Sequence, residues 1–155
     1  MLRIASRPQP VSRGCHGPAL SPALLPEMGY FAMRDLDFSL LTANHDSQKA
    51  VAGDVIFSRG DTADKMYIVK SGQVELRLGS LLLDTVGPNG IFGEMAVVDG
   101  GTRSASAVAV SETELVPLSE KQVVFLIGET PYFALKLLGT ITARLRATTR
   151  ASDHL

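Results

Sequence analysis

The sequence predicts a mainly β fold, an antiparallel sandwich or barrel with flanking helices. Three observations carry that expectation. Between Val51 and Leu118 the apolar residues fall into short runs of about five or six, separated by turns rich in glycine, asparagine or aspartate. From Ser119 onward the apolar spacing changes to that of a helix. With 155 residues, 45% apolar and 20% charged, the chain has room for one ordinary domain and a core that needs no staples.

Composition sets the head of the chain apart. Residues 1–30 carry Arg3, Arg7 and Arg13 with no acid before Glu27. Pro8, Pro10, Pro18, Pro22 and Pro26 are more than half of the eight prolines. No apolar period survives among them, so residues 1–30 read as a flexible leader, or a start placed too early, and residues 31–155 as the folded domain. The leader has neither the apolar centre of a secretory signal nor the amphipathic run of a transit peptide. Its lone thiol, Cys15, has no His or acid arranged beside it.

A short helix is expected over Met33 to Leu41, with Phe31, Phe38 and Leu41 on its apolar side. Strands are expected at Val55–Ser58, Met66–Lys70, Gln73–Leu78, Leu81–Val86, Ala105–Val110 and Glu114–Leu118. Ser71-Gly72 and Gly79-Ser80 leave just enough chain for tight reversals, hence hairpins. In the third strand Val74, Leu76 and Leu78 share one face and Gln73, Glu75 and Arg77 the other, the alternation of a half-buried strand. Ser119 with Gln122 forms a capping box ahead of Val123, Val124, Leu126 and Ile127, and Gly128 is the expected stop. Thr130 as N-cap and Pro131 at the first helical position open a longer helix to about Thr149. Leu135, Leu138, Ile141 or Thr142, and Leu145 form its stripe, expected to pack on the domain itself, with a helical dimer contact as the alternative.

Charge and composition exclude several classes of function. The formal charge of −1, from 15 basic and 16 acidic residues, argues against broad attraction to nucleic acid or anionic lipid. No run approaches the roughly 18 apolar residues of a membrane span. One cysteine excludes an internal disulfide and a cysteine-cluster zinc site, and fits a cytoplasmic setting. His16, His45 and His154 all lie outside the strand segments, which argues against a histidine metal centre in the barrel. No nucleophile elbow is visible, and nothing in the spacing of Asp84, Asp99 and Glu94 makes them a catalytic pair. The expectation is a protein that is not an enzyme, with no catalytic residues and no metal.

Chemistry concentrates between Gly90 and Ala105. Gly93 precedes Glu94-Met95-Ala96, which can begin a helical turn whose free backbone N–H groups point outward. A glycine there lets a ligand approach where a Cβ would obstruct it. Glu94 repels a phosphate but suits a sugar hydroxyl as an acceptor. Arg103 returns across a glycine-rich turn with a planar fork for phosphate oxygens, and Ser104 adds a hydroxyl. Sugar and phosphate recognition thus lie in one segment, although a Glu and an Arg flanking a turn more commonly form a surface ion pair.

The full pattern resembles the phosphate-binding cassette of cyclic nucleotide-binding domains, the sensory module of catabolite-activator-type regulators, cyclic-nucleotide-dependent kinases and cyclic-nucleotide-gated channels. The resemblance extends through Ala52-Gly53-Asp54-Val55-Ile56-Phe57, Arg59-Gly60-Asp61, Met66-Tyr67-Ile68-Val69, Ser71-Gly72-Gln73-Val74 and Gly90-Ile91-Phe92-Gly93-Glu94 to the helix begun by Pro131, roughly residues 34–150. It implies an antiparallel β-roll of jelly-roll type with an N-terminal helix and C-terminal B and C helices. It also implies roles: Glu94 accepts from the ribose 2′-hydroxyl, and Arg103 pairs with the exocyclic phosphate oxygens. Gly93, Met95, Ala96 and Ala105 supply backbone groups or close packing, and Ser104 contacts phosphate or purine. Members of this family close the pocket from the last helix, where Arg144 and Arg146 are the candidates. Ser104, where guanine-selective members often carry threonine, favours cAMP over cGMP. Only a few residues follow the long helix, so no DNA-binding domain is expected and the output passes to an effector protein or through a homodimer of the C-terminal helix. The alternative function is a degenerate, nucleotide-free β-roll that serves as a protein-interaction module.

Overall fold

The computed structural model describes residues 38–152. The path is α1 (Ser39–Thr42), β1 (Gln48–Ala50), β2 (Val55–Phe57), β3 (Lys65–Ser71), β4 (Val74–Leu78), β5 (Leu81–Val86), β6 (Ile91–Phe92), α2 (Glu94–Asp99), β7 (Ser106–Ala109), β8 (Thr113–Ser119), α3 (Glu120–Glu129) and α4 (Pro131–Ser152). The strands form two antiparallel four-stranded sheets, ordered β1-β8-β3-β6 and β2-β7-β4-β5. This is the β-roll with flanking helices that the sequence predicts.

Alternation explains why some strands are apolar throughout and others on one side only. In β3, Met66 and Ile68 face one way and Tyr67 and Val69 the other, and all four are buried. Tyr67 and Val69 join Val74, Leu76, Val86, Phe92, Ala107 and Leu115 in a core between the sheets. Met66 and Ile68 join Ile91, Val116 and Leu118 under a second layer made by Phe38, Val123, Leu126, Phe133 and Leu137. β3 feeds two cores and therefore reads as a continuous apolar run. β4 feeds one, so Val74 and Leu76 are buried while Arg77 is exposed. Pro117 sits within β8 but beyond Leu115, the last β8 residue paired with β1, so on that side no neighbour needs its missing N–H.

The structure corrects four expectations. Two strands escape a pattern-based reading: Gln48–Ala50 is short and mostly polar, and Ile91–Phe92 is two residues long. The capping box of α3 is present, with the Ser119 amide donating to Gln122 Oε1 at 2.8 Å and the Gln122 amide to Ser119 Oγ at 3.4 Å. Gly128, however, does not stop that helix, which runs on to Glu129 and closes with the Thr130 amide donating to the Leu126 carbonyl at 2.8 Å. Last, α4 buries a different stripe from the one expected. Phe133 and Leu137 are buried, and Ile141 packs beside them. Leu135, Leu138 and Leu145 are 47%, 58% and 65% exposed. Both stripes recur at helical spacing, and contact with the sheet, which spacing does not encode, decides between them. The leader, the first part of the Met33–Leu41 helix, Cys15, His16 and His154 lie outside the described residues.

Candidate functional site

The turn that carries Gly60 fastens the segment around Arg103. The Gly60 amide donates to the Arg103 carbonyl at 2.8 Å, and the Arg103 amide to the Asp61 carbonyl at 2.9 Å. Asp61 and Asp54 serve as turn formers, each carboxylate accepting at 2.9 Å from a backbone amide three residues earlier, of Ser58 and Val51. Anchored in this way, the Arg103 side chain enters the roll and is only 4% exposed. Its guanidinium lies 4.0 Å from the centre of the Phe57 ring, and Phe57 stacks in turn on Tyr67, which stacks on Phe92. Nη1 donates to the Gly93 carbonyl at 2.9 Å and Nη2 to the Lys65 carbonyl at 2.6 Å, while Nε is buried without a partner. Burial lowers the pKa of this guanidinium from its ordinary value, against the opposing pull of Tyr67, Asp64, Asp61 and Glu94, and it stays charged. Burial raises that of the Tyr67 hydroxyl.

Gly93 has φ +75°, a left-handed conformation that brings the chain from β6 straight into α2. A Cβ there would lie 2.6 Å from Arg103 Nη1 and 3.3 Å from Phe57 Cε1. Gly93→Ala therefore combines backbone strain of about 1–2 kcal/mol with displacement of the guanidinium. Chemical denaturation should show the loss in stability; an unchanged denaturation midpoint would refute the close packing.

Glu94, the first residue of α2, is 1% exposed. It does not pair with Arg103, so the structure contains no simple Glu94–Arg103 ion pair. Its partner is Arg144 of α4, whose Nη1 lies 2.6 Å from Glu94 Oε1. Arg144 Nε also donates to Asp84 Oδ2 at 3.2 Å, and Nη2 to the Ile91 carbonyl at 2.8 Å. Glu94 Oε2 is buried with no partner.

These groups surround one cavity of about 760 Å³. Gly93, Glu94, Met95, Ala96, Arg103, Ser104 and Ala105 all line it, and so does Arg144. Ala96 is buried; Met95 and Ser104 are exposed at the rim, where the Ser104 hydroxyl lies 3.8 Å from Met95 Sδ. Arg146 is exposed and does not line the cavity, so of the two lid candidates only Arg144 reaches it. The sequence reading missed Asp84 as Arg144's second carboxylate, and Thr148, which also lines the hollow from α4. A smaller hollow of about 380 Å³ lies beside His45, Asp64 and Gln122. Among the described residues no group of three or more His, Cys, Asp or Glu side chains could hold a metal ion.

A donor without a partner and an acceptor without a partner thus belong to residues of one cavity, on a segment of glycine, carboxylate and returning arginine. The family model of the cyclic nucleotide-binding domain matches residues 47–130, more than half of the chain. The chain belongs to the cyclic nucleotide-binding domain family. Its domain is 42% identical over 99 residues to the cyclic AMP receptor protein of Thermus thermophilus, covering 61% of this chain and 46% of that one. It is 35% identical over 86 residues to the cAMP-dependent protein kinase regulatory subunit of Eremothecium gossypii, covering 55% of this chain and 19% of that one. Among solved structures, the Thermus thermophilus catabolite activator protein superposes with a TM-score of 0.63 at 34% identity, covering 85% of this chain and 60% of that one. The chain spans about half the length of the Thermus relative or less of the others, so the domain is the part they share.

Proposed function

We propose that the domain is a cyclic nucleotide sensor, selective for cAMP over cGMP, that transmits binding through α4 and is not itself an enzyme. The observation that carries this reading is the pair of buried atoms without partners, Glu94 Oε2 and Arg103 Nε, on residues lining the same cavity. Buried polar groups in a native protein ordinarily have partners. A cyclic nucleotide supplies both: a ribose 2′-hydroxyl to donate to Glu94, and exocyclic phosphate oxygens to accept from Arg103. Met95, Ala96, Ala105 and Gly93 bound the space, and Ser104 stands at its rim to meet phosphate or base. Charge supports the fit. Glu94 and Asp84 both pair with Arg144, so among the described residues Arg103 has no carboxylate partner and its charge is left to meet the ligand's phosphate.

α4 takes part because Arg144 ties it to Glu94, the group the ribose addresses. The output reaches an effector protein directly or through self-association of α4. The exposed Leu135, Leu138, Thr142 and Leu145, spaced alternately three and four residues apart, form a seam suited to a second copy of the helix. Leu138→Glu should make a dimeric domain monomeric in sedimentation velocity; a variant that keeps the parent's association would remove the seam from the account. No helix among the described residues is long and apolar enough to cross a membrane.

Calorimetric titration with cAMP, cGMP and linear AMP tests the function. Saturable binding strongest for cAMP and weakest for AMP is expected. No heat with any of the three would leave the nucleotide-free interaction module as the reading.

A further inference from the structure

An arginine facing a single carboxylate ordinarily engages both of its oxygens with two parallel N–H bonds. Arg144 and Glu94 do not pair that way. Arg144 gives Glu94 only Nη1, at 2.6 Å to Oε1, although Oε2 of the same buried carboxylate has no partner. Leaving a buried carboxylate oxygen unpaired is unfavourable, so something must restrain the guanidinium from turning onto it. Two contacts do so. Asp84 Oδ2, on edge strand β5, accepts from Nε at 3.2 Å, and the Ile91 carbonyl, on β6, accepts from Nη2 at 2.8 Å. The three bonds run to three separate elements and fix the plane of the fork. The Asp84 side chain is 41% exposed, so its ion pair is screened and weak. Its effect is on direction rather than on strength.

We propose that Asp84 is a positioning residue that draws Arg144 Nε away from Glu94 and so reserves Glu94 Oε2 for the ligand's ribose 2′-hydroxyl. This rests on the cyclic nucleotide reading of the cavity and deepens it by adding a residue that touches neither sugar nor phosphate. Without the Asp84 carboxylate, Arg144 closes on Glu94 through two bonds, and an incoming hydroxyl must displace one of them. Asp84 thereby sets how strongly the site distinguishes a ribose from a 2′-deoxyribose.

The test compares cAMP with 2′-deoxy-cAMP by calorimetry on the full chain and on Asp84→Ala and Asp84→Asn. In the unaltered chain the 2′-hydroxyl should be worth about tenfold in affinity, one hydrogen bond to a charged acceptor. Asp84→Ala should lose that preference, weakening cAMP about tenfold and leaving 2′-deoxy-cAMP unchanged. Asp84→Asn, whose amide oxygen still accepts from Nε, should keep it. An Asp84→Ala chain that retains the full preference, or that loses both ligands equally, overturns the assignment. Should Asp84→Ala fail to fold, Asp84→Ser, which cannot reach Nε as a carboxylate does, must show the same loss or the assignment falls. Failure of the unaltered chain to bind either ligand would instead overturn the nucleotide reading on which the assignment stands.

Discussion

Arg103→Ala is expected to weaken cAMP binding roughly 10-fold to 150-fold, the value of an ionic hydrogen-bonded contact of about 1.5–3 kcal/mol. The same change should lower stability, because the guanidinium holds the domain together even without ligand. It donates to the Gly93 and Lys65 carbonyls and covers the Phe57 ring. Each hydrogen bond from a charged donor contributes about 1.5–3 kcal/mol, and each kcal/mol lost lowers the melting temperature of a domain this size by about 2–4 °C. Calorimetry gives the affinity and a thermal scan the stability. Wild-type affinity in a folded Arg103→Ala protein would overturn the phosphate role. An unchanged melting temperature would overturn the bracing role.

Removing Arg144 should act most strongly on the fold itself. Glu94 is fully buried and Arg144 is its one charged partner among the described residues. Breaking a buried pair from one side costs about 3–5 kcal/mol, because the remaining charge is uncompensated. Arg144→Ala should therefore lower the unfolding free energy extrapolated from a urea titration by that amount, with little dependence on salt, since buried pairs are poorly screened. Adding Glu94→Gln to Arg144→Ala removes the stranded charge and should restore most of the loss. Equal stability of the single and double variants would contradict this account of the pair.

How much of this was legible in the sequence differs from element to element. Strands β3, β4, β7 and β8 and both C-terminal helices carry their own periodicity, since each buries alternate or helically spaced residues in a core. β1 carries no such signal, because only Ala50 of its three residues is buried. β6 is too short to show a period at all. In α4 the rows Phe133–Leu137–Ile141 and Leu135–Leu138–Thr142–Leu145 are equally helical in spacing. Only the packing of the first row beneath α3 and β3 distinguishes them.

The site divides the same way. Gly93, Glu94, Arg103 and Ser104 lie on one local segment whose residue types state their chemistry. Arg144 and Asp84 reach it from 50 and 10 residues away, since Arg144 is 50 residues from Glu94 and 60 from Asp84. No local spacing marks a contact of that kind. The inward fold of the Arg103 fork onto two backbone carbonyls was equally invisible, because carbonyl acceptors leave no trace in residue identity.

The most direct test of the central claim is a crystal structure of the domain grown with cAMP. The account predicts one nucleotide in the hollow beneath α4, its exocyclic oxygens within hydrogen-bond distance of the Arg103 guanidinium and its 2′-hydroxyl on Glu94 Oε2. Nucleotide bound elsewhere on the surface, or seated in that hollow and touching neither side chain, would contradict it.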